Sequence, residues 1–389
     1  MARTGTQLTC VALCSAGTAL CAQQAAAAEW QVVPSAYVGT SYADNPRLLP
    51  DGGDSTEGAI GELSASLTRL TERSELTLLP RMASSRYSDE DSLDNDNQYL
   101  TAGYRRQGER SVWNTEIGFT RDTTLTSELG STGLVQSNRR HEASSVTIAP
   151  NVTFTERLSG GLQMYLTDHR YVDAEFSGLV DYRYMALSLF STIALTDTGS
   201  ALTVSAQGGE LSTEGFGGSA TRDGSVRLGW SFQPWLLWTV ELSAGPSIVE
   251  TDNASDSGYV FDGEIKRQSE RWSLTANAER SQSPTGRGML TRRHALKLSF
   301  NRALTERLST NVAAHWVSTE DLLPQQSGGA AYEVQYARLD IGASWRLSRN
   351  WSLSLQLSGN TQDYELAAER ANGYRASLNV VWNGQPQSL

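Results

Sequence analysis

The sequence predicts an all-β fold: a transmembrane, up-and-down antiparallel β-barrel of about 18 strands, within the range 16–18. Three observations carry that expectation. Apolar and polar residues alternate with period two along almost the whole chain. Short turns and longer loops alternate between the apolar-polar runs. Aromatic residues sort to the two ends of those runs. With 389 residues, the chain is long enough for one large β-unit. Beyond the first 28 residues no apolar run approaches the eighteen or so that a membrane helix needs, so a helical membrane protein is excluded. Almost nothing repeats at 3.6, which argues against a helical enzyme.

The chain opens with a targeting segment, residues 1–28. Arg3 supplies the positive start, Leu8 to Ala22 a weakly apolar stretch, and Ala26-Ala27-Ala28 a small-residue cleavage site before Glu29. Cys10, Cys14 and Cys21 all lie inside it, so the mature chain, 29–389, is expected to be a single barrel domain without disulfides or thiolate metal sites. Without Arg3 the mature chain has 31 basic and 43 acidic residues, a formal charge of −12. That balance excludes nucleic acid as a partner, because phosphate backbones call for a basic surface.

Strands follow from Trp30 onward. In Trp351-Ser352-Leu353-Ser354-Leu355-Gln356-Leu357-Ser358 the alternation is unbroken, and Val226 to Phe232, Trp272 to Glu279 and Tyr374 to Trp382 behave alike. Such segments present one apolar and one polar face. Short turns are expected at Thr71–Ser74, Gln107–Arg110, Thr155–Leu158, Thr196–Ser200, Gln233–Leu236, Gln268–Arg271, Leu304–Leu308 and Leu347–Trp351. Three of them contain Thr-Glu-Arg, starting at Thr71, Thr155 and Thr305. Longer Gly/Ser/Asp/Asn-rich loops are expected at Asp44–Thr56, Asp89–Asp96, Thr123–Ser137, Glu250–Ser257 and Glu320–Ala330. Eight short turns give sixteen strands, and a first strand at Gln31–Ser41 with a last at Gly373–Trp382 makes eighteen.

Why lipid rather than a soluble sandwich? Trp113, Trp230, Trp235, Trp238, Trp272, Trp345 and Trp351 lie near the short turns, with Trp30 and Trp382 at the same end. Only Trp316 falls near a long loop. Tyr favours the loop ends: Tyr42, Tyr87, Tyr99, Tyr171, Tyr182, Tyr184, Tyr259, Tyr332, Tyr364 and Tyr374. Two girdles of amphipathic rings match two membrane interfaces. A spanning sheet must close, because unpaired peptide groups in hydrocarbon cost several kcal/mol each. Pro34, Pro80 and Pro150 fall on the apolar phase, where bulges or membrane-border positions are expected. Eighteen strands enclose more space than side chains fill.

The polar face carries Arg81, Arg105, Glu116, Arg227, Glu241, Asp262, Glu264, Lys266, Arg293, Arg338, Asp340 and Arg375, which are the candidate pore-lining residues, with Glu279 and Lys297 in the same phase. Mixed signs around a wet wall set up a transverse field that orients polar solutes, unless the charges merely pair with one another. The four histidines, His141, His169, His294 and His315, form no paired metal motif, and no nucleophile elbow or phosphate loop is present. Asp168 and His169 are adjacent on a strand and point to opposite faces. The acidic loop Ser88 to Asp96 lacks the Gly and terminal Glu of a calcium loop, and reads as solvated.

The segment Trp30-Gln31-Val32-Val33-Pro34-Ser35, continuing to Tyr42-Ala43-Asp44-Asn45-Pro46-Arg47-Leu48, resembles the opening of a family of proteobacterial outer-membrane β-barrel porins, several encoded with exopolysaccharide systems. The shared feature is a first strand followed by Tyr-x-Asp-Asn. The resemblance implies an outer-membrane location and a role in glycan secretion, with no catalytic residues to transfer. The last strand is similar to a barrel insertion signal, with Trp382, Val380, Leu378, Ala376 and Tyr374 alternating, although Asn383 to Leu389 follow the terminal aromatic.

The expectation is a passive, non-enzymatic conduit for polysaccharide or other polar solutes, without cofactor or metal. Its expected partners are outer-membrane lipid, lipopolysaccharide, the barrel-assembly machinery and, for polysaccharide, a separate periplasmic export component. A second reading is a structural or binding barrel occluded by loops such as Thr123–Ser137. A third is a lipid- or glycan-modifying enzyme, which requires His169, His294 or His315 to meet a Ser and a carboxylate.

Overall fold

The computed structural model describes residues 29–50, 52–131, 138–173, 178–197, 199–213, 220–322, 333–364 and 370–388. The expected targeting segment, residues 1–28 with its cysteines, Tyr332, and parts of the expected loops Thr123–Ser137 and Glu320–Ala330 lie outside them. The strands are β1 (Glu29–Asp44), β2 (Ser55–Leu70), β3 (Ser74–Tyr87), β4 (Asn95–Gln107), β5 (Ser111–Thr123) and β6 (Arg140–Thr153). Then come β7 (Leu158–Val172), β8 (Tyr182–Ala194), β9 (Ala201–Thr213), β10 (Thr221–Phe232), β11 (Trp238–Glu250) and β12 (Ser255–Gln268). The last are β13 (Trp272–Pro284), β14 (Leu290–Ala303), β15 (Leu308–Asp321), β16 (Glu333–Arg346), β17 (Trp351–Tyr364), β18 (Arg370–Asn383) and the two-residue β19 (Gln387–Ser388). One helix, α1 (Thr124–Ser131), stands where the sequence suggested only a loop.

Each strand pairs antiparallel with its sequence neighbour, and β1 pairs with β18, so the sheet is a closed 18-stranded barrel with β19 added at the seam. Closure satisfies every edge that hydrocarbon would otherwise leave bare. Strands of 12 to 16 residues exceed the nine to eleven needed to cross hydrocarbon, so their ends stand in the interfaces. All eight expected short turns fall between strands at one end of the barrel. The Thr-Glu-Arg turns have a shared cause. The hydroxyl oxygens of Thr71, Thr155 and Thr305 accept from the backbone N–H three residues on, at 2.9, 3.0 and 3.0 Å. Each Thr N–H in turn donates to the carbonyl of that same residue. At the other end, the expected loop Glu250–Ser257 is instead a tight turn closed from Thr251 to Ala254.

Outside and inside follow from register. Leu63, Met82, Leu100, Ile117, Leu166, Leu187, Leu228, Leu339 and Val380 share one face of the sheet and are exposed, Leu63 by 65%. The opposite face holds Tyr184, Leu211 and Val249, buried together although they come from β8, β9 and β11. Leu290 and Leu322 join them from the β14–β15 side of the barrel. Residues so far apart on the wall meet only across the lumen, so the apolar row faces outward, into lipid. Trp113, Trp230, Trp345 and Trp351 are exposed on that outward phase at the short-turn end.

The tyrosines of the other end divide. Tyr42, Tyr259 and Tyr374 are exposed outward, whereas Tyr87, Tyr171, Tyr182 and Tyr184 are buried. The expected second girdle is therefore half a girdle and half the core of the mouth. The prolines open the ladder rather than shift it. Cα pairing lapses around Pro80 and Pro150 and resumes in unchanged register, and only Pro34 adjoins a one-residue shift, between Val32 and Ser35. The tail after Trp382 is accommodated by that shift: Gly384 donates to the Pro34 carbonyl at 2.8 Å and β19 then pairs with Gln31 and Val32.

Candidate lumen and mouth

The register puts Arg81, Arg105, Glu116, Arg227, Glu241, Asp262, Glu264, Lys266, Arg293, Arg338, Asp340 and Arg375 on the face opposite the apolar row, hence toward the lumen. Some of these charges are neutralised locally. Arg81 meets Glu62 at 3.4 Å, Lys266 meets Glu264 at 2.5 Å, Arg293 meets Glu279 at 3.1 Å and Arg338 meets Asp340 at 2.7 Å. Arg81 also lies 3.8 Å over the Tyr99 ring. Asp262 accepts from the Asn277 amide at 3.4 Å. Among the described residues Arg105, Glu116, Arg227, Glu241 and Arg375 have no ion-pair partner within 4.0 Å.

The signs segregate around the wall. The inward faces of β11 to β13 carry Glu241, Asp256, Asp262, Glu264 and Glu279 against the single base Lys266. The inward faces of β14 to β18 carry Arg293, Lys297, Arg338, Arg346 and Arg375 against Asp321 and Asp340. An acidic arc thus adjoins a basic arc. Lys297, His315, Arg338 and Asn360 are direct cross-strand partners in one row. With strands tilted by roughly 35–45°, such a row climbs along the lumen instead of lying level.

Two segments narrow the mouth on the loop side. The first is the upper β13–β14 hairpin. Pairing of β12 with β13 ends at Phe261 and Arg280, although β12 continues to Ser255 and β13 to Pro284. Beyond that fork the hairpin bends inward. Gln282 donates to Ser247 at 3.1 Å and Arg292 reaches Asp256 at 2.7 Å, both on the lumen side of β11 and β12. The tip, residues 285–289, crosses to the β7–β9 side, where the Gly286 carbonyl accepts from Val180 N–H at 2.8 Å. Gly286 permits that close approach. A Cβ would sit 2.6 Å from the Tyr171 hydroxyl and 2.8 Å from Glu128 Oε1. Gly288 follows at φ +71°, a region that disfavours side chains.

The second segment is α1, seated under that tip. Glu128 is only 7% exposed. It accepts from the Tyr171 hydroxyl and from the Gly286 backbone. Burial nevertheless pushes its carboxyl above the usual range, because the dry mouth penalises the charge more than those donors repay. Beside it runs a buried histidine chain. His141 Nδ1 is 3.0 Å from Asp122, His141 Nε2 is 2.8 Å from His169 Nδ1, and His169 Nε2 is 2.9 Å from the Thr167 hydroxyl. With Asp122 as acceptor, the donors run Thr167 to His169 to His141 to Asp122.

Ser127 approaches the same His141 Nδ1 that serves Asp122, at 3.1 Å, so no free imidazole nitrogen addresses its hydroxyl. The partners of His169 are His141 and Thr167 rather than a serine with a carboxylate. His169 faces inward, while Asp168 faces outward and pairs with Arg183 at 2.9 Å. The acidic loop is tied down by arginines: Arg86 meets Asp96 at 2.7 Å and Arg47 meets Glu90 at 2.6 Å.

The inward hairpin was not anticipated from the alternation, yet a signal was present. Above Arg280 and His294, Gln282 and Arg292 occupy the phase that is apolar lower on the same strands, and both reach lumen-side partners. A run of polar residues on the lipid phase marks a segment that has left the lipid.

No protein-family model matches the chain, and no curated protein matches it. Three solved structures similar to it share little of its sequence. OpdO of Pseudomonas aeruginosa is 13% identical over 92% of this chain and 97% of that one, with a TM-score of 0.49. OccK2 (OpdF) of Pseudomonas aeruginosa is 8% identical, with 92% and 98% covered and a TM-score of 0.48. The FrpB iron transporter from Neisseria meningitidis is 10% identical, with 92% and 82% covered and a TM-score of 0.46.

Proposed function

We propose that the protein is a passive conduit of the bacterial outer membrane, carrying polar solutes and most suited to acidic carbohydrate such as exopolysaccharide. The observation that carries this reading is the pairing of an acidic arc on β11–β13 with a basic arc on β14–β18 inside a closed, lipid-facing barrel. Lys297 and Arg375 have no carboxylate partner among the described residues, so they are available to a passing anion. Weak contacts repeated along a tilted row let an anionic chain advance without being trapped. In this reading lipopolysaccharide surrounds the wall, the barrel-assembly machinery inserts it, and a separate periplasmic component delivers polysaccharide.

The test is conductance of the refolded mature barrel in planar bilayers. An open channel is expected whose anion preference falls when Lys297 and Arg375 are both changed to Gln. A folded barrel that stays silent even after removal of residues 285–289 would overturn the proposal.

The inward hairpin and α1 favour a second reading, a barrel whose mouth is shut at rest and which binds rather than conducts. The two readings separate on one comparison. If the tip only narrows the mouth, its deletion raises an existing conductance severalfold; if it seals the mouth, conductance appears only after deletion.

A further inference from the structure

The outer face holds a feature that the conduit does not use. Where β13 to β17 face lipid, the wall is concave, with a groove of 820 Å³. Its lining sets the small outward residues Ala276, Ala278, Ala314 and Ala337 beside the apolar Leu296 and Leu298, between rims that include Phe261 and Tyr374. In a membrane such a groove does not stay empty, since a void forfeits the contacts of its lining.

The head of the groove is cationic. Arg280 lies two residues above Ala278 on β13, and its direct cross-strand partner on β14 is His294, two residues above Leu296. Elsewhere along this outward rim, arginines are met by carboxylates: Arg86 by Asp96, Arg121 by Glu142, Arg183 by Asp168, Arg222 by Glu210 and Arg370 by Asp363. Arg280 has no carboxylate among the described residues and instead stacks 3.6 Å over the Tyr259 ring. Stacking fixes the guanidinium plane but leaves its charge unmet.

We propose that this groove and its head form a site for a phosphate-bearing membrane lipid. The acyl chain lies along the groove, and the phosphate sits on Arg280 and His294. A second copy of the chain fits poorly, since two concave faces do not close on each other and one cationic head would confront its like. The site rests on the lipid-facing barrel alone and is independent of what the lumen carries.

The test is native mass spectrometry of the full mature barrel in detergent, with dioleoyl phosphatidic acid, dioleoyl phosphatidylcholine and inorganic phosphate as probes. One phosphatidic acid should be retained per barrel, about tenfold more tightly than phosphatidylcholine, and the double change R280Q/H294Q should abolish that preference. Ala314→Phe, which fills the groove and leaves the head intact, should weaken retention of both lipids. Heat-modifiable gel migration checks that each variant is folded. Retention of both lipids equally by the wild type, or of phosphatidic acid undiminished by both variants, overturns the site. Displacement of phosphatidic acid by millimolar inorganic phosphate would overturn the groove's part and leave only an anion notch.

Discussion

Gly286 is the residue on which the mouth turns. A side chain there would have to displace the buried Tyr171 hydroxyl and Glu128 from their hydrogen bond. Gly286→Val should therefore unseat the hairpin tip and expose Arg287 to trypsin, while the wall below the fork stays folded. Glu128 beneath it gives a pH dependence. Its folded-state pKa is raised, so the docked mouth binds the proton more tightly than the undocked one. Docking is then strongest at pH values below the ordinary carboxylate range. It weakens as pH rises from the undocked toward the docked pKa and is level above that. Trypsin cleavage at Arg287 should rise across that interval in the wild type and be flat in Glu128→Gln. Glu128→Ala, which removes the acceptor of the Tyr171 hydroxyl, should loosen the mouth by about 1–3 kcal/mol at low pH, where Glu128 is protonated, and by less as pH rises.

At the scale of elements, the sequence was most legible where local chemistry decides the structure. The short turns were readable because Thr71, Thr155 and Thr305 close them within four residues. Nothing distant is needed, so a pattern within the window finds them. Replacing Thr155 or Thr305 with Val removes a side-chain cap and should cost about 0.5–1.5 kcal/mol each, read as a lower urea midpoint of the refolded barrel. The lumen face of the wall was also legible, since alternation fixes which residues share a face. Partnerships were not. Whether Arg338 is quenched by Asp340 or left free like Arg375 depends on rotamers that alternation does not encode. The mouth was least legible. Helix α1 is eight residues long and is held by what it meets from β7 and the β13–β14 tip, not by a periodic pattern of its own. Likewise Tyr171 and Tyr184 look like girdle residues in sequence. Their hydroxyls instead find Glu128 on α1 and Asp223 two strands along the inner wall, which only the register of the assembled sheet brings near.

For the whole molecule, the decisive property is that opposite charges are separated around the lumen rather than interleaved. A formal charge of −12 over residues 29–389 would by itself favour cations. The arcs instead give cations and anions separate sides of the same passage. Neutralising Glu241 and Glu264 as Gln should therefore move selectivity toward anions. Changing Lys297 and Arg375 to Gln should move it toward cations, each by a few-fold in permeability ratio from reversal potentials. Both shifts depend on ionic strength. The screening length is about 10 Å at 0.1 M salt and about 3 Å at 1 M, so a field acting across a lumen this wide survives only in dilute salt. Both shifts should shrink toward nothing as salt is raised through that range. A selectivity that ignored these four substitutions at 0.1 M would mean that solute never reaches the arcs, and the route would then have to be sought above the fork, along the hairpin itself.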